Sequence, residues 1–77
     1  MEGLEGLIRK FALHNAVKFG GKANPGAVIG KILAEDPSLK DDMQRIGKKV
    51  NAIISLINKL PPEEQRAILE KEFPELL

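Results

Sequence analysis

The chain has 77 residues, of which 12 are basic and 11 acidic, a formal net charge of +1, and 43% hydrophobic side chains. This length allows one small domain, and the charge is too balanced for a strongly basic nucleic-acid binder. The absence of cysteine excludes disulfides, thiol catalysis and cysteine-based zinc sites. No apolar run approaches the roughly 20 residues of a membrane span, and no signal peptide is visible.

The spacing of apolar residues predicts an all-α domain, a small orthogonal bundle of four helices. In the first helix Leu4, Leu7 and Ile8 share one face, but other apolar residues point elsewhere. Such a helix is either sandwiched between neighbours or meets a partner. Gly20-Gly21 ends it. The predicted helices span about residues 3–19, 25–35, 37–59 and 62–72.

Capping residues and prolines mark the starts of the later helices. Asn24-Pro25 and Asp36-Pro37 each place a capping side chain before a proline, and Pro62 suits a first helical position. Small residues recur in the second helix at positions 26, 30 and 34, a strip suited to helix packing or to close approach of an RNA backbone. Each glycine inside a helix costs about 1 kcal/mol of stability relative to alanine, so we expect one of these two uses to offset that cost.

The third predicted helix carries a heptad seam that begins at Leu39 and Met43 and ends at Leu60. In so short a chain this seam is expected to contact the other helices, so we expect a monomer rather than a coiled-coil dimer. On a helical wheel the basic residues of this helix lie roughly opposite the seam.

The residues needed for catalysis are missing. His14 is the only histidine, and no Cys, Asp or Glu lies three or four residues from it. Gly20-Gly21-Lys22 lacks the full phosphate-loop pattern and a preceding strand. We therefore expect no catalytic residue, no metal site and no cofactor site in these 77 residues.

Basic residues fall in separate blocks, because residues 9–31 contain five and no acidic residue, and residues 45–59 contain four and no acidic residue. One explanation is complementarity to helix dipoles, and the other is contact with phosphates. The candidate phosphate contacts are Lys18, Lys22 and Lys31 near the joint of the first two helices, and Arg45, Lys48 and Lys49 as a second patch.

Several short motifs resemble the start of archaeal-type glutamyl-tRNA synthetases. Residues 12–16 read A-L-H-N-A and residues 20–23 read G-G-K-A. They are followed by A-V-I-G-K-I-L at 27–33, E-D-P-S-L at 35–39 and N-K-L-P-P-E-E-Q-R at 58–66. The family's ATP-binding motifs are not found, and the chain stops on two leucines. The resemblance therefore implies a non-catalytic N-terminal accessory domain, residues 1–77, of a longer cytoplasmic chain.

The resemblance also implies what the domain meets. It would help tRNA(Glu) binding through phosphate contacts or brace the catalytic domain, where ATP, Mg²⁺ and glutamate are bound. No Tyr or Trp is present, and the Phe side chains are expected to be buried, so stacking on bases is not expected.

Two alternatives remain. The domain could be a protein-docking module whose exposed apolar residues are Leu13, Val17 and Leu56. It could also be a helix-turn-helix DNA binder, although the connection from Phe19 to Pro25 is long for that turn.

Overall fold

The computed structural model describes residues 3–77, which form five α-helices and two 3₁₀ turns, with no strand in this range. The all-α prediction is confirmed. The helices are α1 (Gly3–Lys18), α2 (Pro25–Glu35), α3 (Lys40–Arg45), α4 (Gly47–Lys59) and α5 (Pro62–Glu72), and the turns are Pro37–Leu39 and Pro74–Leu76.

Local capping places the starts of α2 and of the first turn where the sequence predicts them. The Asn24 side-chain oxygen accepts a hydrogen bond of 3.0 Å from the Ala27 amide, satisfying one of the free N–H groups at the start of α2. Asp36 accepts one of 3.1 Å from the Ser38 amide and so opens the turn. Each capping interaction joins residues only two or three positions apart, so the sequence alone was enough to predict where these elements start.

The single helix predicted over residues 37–59 is wrong, and so is the count of four. The segment contains the first turn, α3 and α4, with a break at Ile46, where φ is −107° and ψ is 29°. Gly47 follows the break, and glycine disfavours a helix by about 1 kcal/mol because it loses the most backbone freedom there. Hydrogen bonds continue on both sides, from the Ile46 amide to Asp42 at 3.2 Å and from the Val50 amide to Ile46 at 2.9 Å.

Helix α1 lies at the centre of the fold and packs against α2, α4 and α5. This explains why its apolar residues do not keep to one face, and the sandwiched arrangement is the one observed. Its buried residues are Ile8, Phe11, Ala12, Leu13 and Ala16.

The core continues into the other helices, and most of the predicted heptad seam takes part in it. Met43, Val50 and Ile57 of the seam are buried, while its remaining positions are half-buried. Ala23 before α2, Val28 and Ile32 from α2, Ile54 from α4 and Leu69 from α5 complete the buried hydrophobic set. The seam is thus covered within the chain, largely by α1.

Ion pairs on the surface join the N-terminal half of α1 to its neighbours. Arg9 forms a two-point pair with Glu72 of α5, and the Lys49 ammonium of α4 lies 3.0 Å from the Glu5 carboxylate. Arg9 lowers the pKa of Glu72 by hydrogen bonding to its carboxylate. These pairs are exposed, so each contributes about 1 kcal/mol at most.

The strip of small residues on α2 is exposed. Helix packing, the first of the two uses predicted for it, is therefore not observed. Gly26, Gly30 and Ala34 all face outward, and a Cβ added at Gly30 would meet no atom within 4 Å. Among residues 3–77 no helix is both long enough and apolar enough to cross a membrane.

Candidate nucleic-acid interface

The connection between α1 and α2, residues 19–24, contains Lys22 and is shaped by two glycines. Gly20 and Gly21 have φ values of +77° and +108°, which favour glycine over residues with a Cβ. The Gly21 amide donates to the Ala16 carbonyl at 2.6 Å, and this bond closes the end of α1. We call this connection the α1–α2 loop.

Asparagine side chains from two helices hold the second half of the α1–α2 loop. The Asn58 carboxamide of α4 binds both backbone groups of Ala23, accepting from its N–H at 2.7 Å and donating to its carbonyl at 3.1 Å. Asn15 of α1 accepts from the Asn24 amide at 2.8 Å. These bonds fix the backbone immediately before the start of α2.

A third carboxamide holds the first half of the loop. Gln65 of α5 is fully buried, and its Nε2 donates to the carbonyls of Gly21 at 3.0 Å and Ile57 at 2.8 Å. The α1–α2 loop is therefore tied to α1, α4 and α5 by one carboxamide each. Sequence reasoning missed these three residues, although polar amides beside apolar helix positions are a usable signal of buried hydrogen bonds.

The structure brings Lys18, Lys22 and Lys31 together around one side chain, Phe19. Lys18 and Lys31 border a small depression that Phe19 and His14 also line. Lys22 borders a second depression, which Phe19 and Asn24 also line. We call Lys18, Phe19, Lys22 and Lys31 the basic surface.

The charges of the basic surface are not neutralised by the part of the chain that the structure describes, where no acidic side chain lies within 4.0 Å of these three ammonium groups. The lysine charges also affect the pKa of His14. Burial chiefly, then the positive charges of Lys18 and Lys31, hold the pKa of His14 below its ordinary value of 6.5. The histidine is consequently neutral at pH 7, and the surface draws its charge from the lysines.

The second predicted patch is partly neutralised. Arg45 lies 2.7 Å from the Asp42 carboxylate, and Lys49 pairs with Glu5. Lys48 is exposed and has no acidic side chain within 4.0 Å between residues 3 and 77. Of the two patches, the basic surface offers the more available positive charge for an anion.

Two expectations about apolar side chains are wrong. Leu13 is fully buried because α1 has neighbours on several sides, so it is not an exposed docking residue. The predicted docking set is reduced to the half-buried Val17 and to Leu56, which is 63% exposed. Phe19, expected to be buried, is 62% exposed, because it directly follows α1 and precedes the glycines that turn the chain away.

Sequence comparison shows what this chain is similar to. It is 49% identical over 72 residues to glutamate–tRNA ligase of Pyrococcus furiosus and 45% identical over 74 residues to that of Pyrobaculum aerophilum. The ligase of Thermococcus kodakarensis is 45% identical over 75 residues. The chain is a relative of one segment of these ligases. The resemblance to the synthetase family is thereby confirmed.

The aligned segment is a small part of each ligase. The comparisons cover 94–97% of this chain but only 13% of each of these three proteins. No family model and no solved structure matches the chain.

Proposed function

We propose that the chain acts as an N-terminal accessory domain of a cytoplasmic glutamate–tRNA ligase and helps it bind tRNA(Glu) through the basic surface. The observation that carries the proposal is the convergence of Lys18, Lys22 and Lys31, free of acidic partners among residues 3–77, in a chain related to a segment of such ligases. Lysine ammonium groups bind phosphates as point charges and do not read base sequence.

The proposed contribution is positioning. Three phosphate contacts give modest affinity on their own, and they help most when the rest of the ligase holds the same tRNA. Because Lys18 and Lys31 lie on helices and the loop that carries Lys22 is tied to three helices, little backbone freedom is lost when these lysines meet the RNA backbone.

The ATP-dependent attachment of glutamate is assigned to the rest of the ligase, which would bind ATP and Mg²⁺. Among residues 3–77 no three His, Cys, Asp or Glu side chains come together as a metal-binding cluster. We assign no step of that reaction to this chain, which would serve it only through tRNA or by bracing the catalytic domain.

The test is a titration of fluorescent tRNA with the purified chain over a series of salt concentrations. Replacing Lys18, Lys22 and Lys31 with Gln should weaken binding and reduce the slope of log K against log salt by about 2–3 units, at slightly less than one unit per contact. The matched control replaces Arg45, Lys48 and Lys49 with Gln, which removes the same charge from the second patch. Equal losses for the two triple variants, or no binding of tRNA at low salt, would contradict the proposal.

A further inference from the structure

Phe19 is exposed in a fold that buries or half-buries its other two aromatic side chains. Phe11 is 7% exposed and Phe73 is half-buried, whereas 62% of Phe19 is open to solvent. Its backbone position is set by α1, because its amide donates to the Asn15 carbonyl at 3.0 Å. An aromatic ring exposed at a fixed backbone position offers its face to a partner, and the charges around it indicate the chemistry of that partner.

The surroundings of Phe19 are cationic. The Lys18 ammonium lies 5.7 Å from the centroid of the ring, Lys31 lines one depression with Phe19 and Lys18, and Lys22 lines the second depression with Phe19. Protein-docking centres are depleted of charged residues and surround an aromatic anchor with apolar ones. A ring among lysines is instead the arrangement used for single-stranded nucleic acid, where bases stack on aromatic faces and cations follow the backbone.

Two depressions adjoin Phe19, one bordered by Lys18 and Lys31 and the other by Lys22. A base placed on the ring therefore has lysine side chains beside it that are available to the neighbouring phosphates. A base within a duplex has both faces covered by its neighbours and cannot stack in this way.

We propose that Phe19 is a stacking platform for an unpaired base of the bound RNA, with the neighbouring Lys18, Lys22 and Lys31 as contacts to the adjacent phosphates. The proposal rests on the RNA-binding function proposed above and adds its substrate class, an unpaired nucleotide. Phenylalanine has no hydrogen-bonding group on its ring, so the platform tolerates any base.

The first test compares Phe19→Leu with the unchanged chain, using a mixed-sequence single-stranded oligoribonucleotide and its duplex. Leucine keeps an apolar side chain but removes the aromatic face. We expect affinity for the single strand to fall about 5-fold or more, because stacking on an aromatic side chain is typically worth that much per base. The salt slope should be unchanged, since no charge is removed, and duplex affinity should change less than twofold.

The second test uses fluorescence, because the chain contains no Trp or Tyr. Phe19→Trp introduces a single indole that stacks on bases, and its emission should be quenched by the single strand much more than by the duplex. Leu56→Trp is the matched control, since Leu56 is equally exposed but lies on α4 outside the basic surface. Its emission should not respond to the single strand.

The outcomes separate the two proposals. RNA binding that depends on the three lysines, together with full affinity in Phe19→Leu and no quenching in Phe19→Trp, overturns the platform and leaves the accessory function standing. Absence of RNA binding by the unchanged chain overturns both. Loss of binding to the catalytic part of the ligase in Phe19→Leu, with RNA affinity unchanged, would assign Phe19 to protein docking and also overturn the platform.

Discussion

The Gln65 side chain donates a hydrogen bond of 3.0 Å to the carbonyl of Gly21, a residue 44 positions earlier in the chain. Gln65 is the only polar residue among the buried side chains of the described range. Through this bond α5, at the far end of the chain, determines the shape of the loop that carries Lys22. The packing of α5 and the geometry of the basic surface are therefore physically coupled.

Replacing Gln65 with Met should destabilise the chain by about 1–2 kcal/mol. Methionine has a similar shape but no donor, so the Gly21 carbonyl loses its side-chain partner, while Ile57 keeps the bond from the Leu60 amide. In a domain of this size each kcal/mol lowers the melting temperature by roughly 4–8 °C. Gln44→Met is the control, since Gln44 is exposed, and it should stay within about 0.5 kcal/mol of the unchanged chain. Equal melting temperatures for the two variants would show that the Gln65 bond adds nothing.

Two glycine-to-alanine substitutions should change stability in opposite directions. Gly30 lies within α2 with open space around it, so Gly30→Ala should raise the free energy of unfolding by up to about 1 kcal/mol. Gly21→Ala should lower it by about 1–2 kcal/mol, because φ is +108° and the new Cβ would lie 3.1 Å from Pro62 Cγ. Urea unfolding measures both.

The Gly30→Ala variant also tests whether an RNA backbone approaches the exposed strip of small residues on α2. If Gly30→Ala is more stable but binds RNA more weakly, close approach of the RNA backbone to the strip explains the glycine. Unchanged RNA affinity removes that explanation. A more stable Gly21→Ala would contradict the conformation of the α1–α2 loop.

His14 should titrate below its ordinary pKa of 6.5, and the lysines of the basic surface should be part of the cause. Proton NMR can follow it directly, because it is the only histidine in the chain. Replacing Lys18 and Lys31 with Gln should raise the pKa of His14, and so should bound RNA, whose phosphates offset the lysine charges. A pKa that is the same in the double variant would show that these lysines lie farther from His14 in solution.

The same shift has a consequence for stability. The folded chain takes up a proton at lower pH than the unfolded chain, in which His14 has its ordinary pKa. The contribution of neutral His14 is therefore complete above about pH 6.5 and declines as pH falls below that value, until the folded form is protonated as well. His14→Gln should remove this part of the pH dependence in thermal melts recorded over that range.

The sequence predicted those elements whose signals are local. The bounds predicted for α2 and α5 match the structure, and a proline at the first position of each marks its start. The break at Ile46 was missed because the 3–4 spacing of apolar residues continues through it and conceals the interruption. The buried position of Leu13 was missed because it depends on how many helices surround α1, which no local pattern records.

The candidate site was predicted in part for the same reason. The three lysines could be grouped from the sequence because they lie close to the predicted joint of two helices. In the structure Lys18, Lys22 and Lys31 all border depressions next to Phe19. The exposure of Phe19 and the three carboxamide contacts depend on residues up to 44 positions apart. These contacts follow from tertiary packing, so they cannot be predicted from the spacing of residues along the chain.

Tying the α1–α2 loop at three points also limits how this connection can change in evolution. One inserted residue between Phe19 and Asn24 would move at least one backbone group out of reach of Asn15, Asn58 or Gln65. Surface connections usually tolerate insertions, but this one should keep its length among relatives even where its side chains vary. Variation in the strength of RNA binding would then come from exchange of Phe19 and Lys22, with the backbone beneath them unaltered.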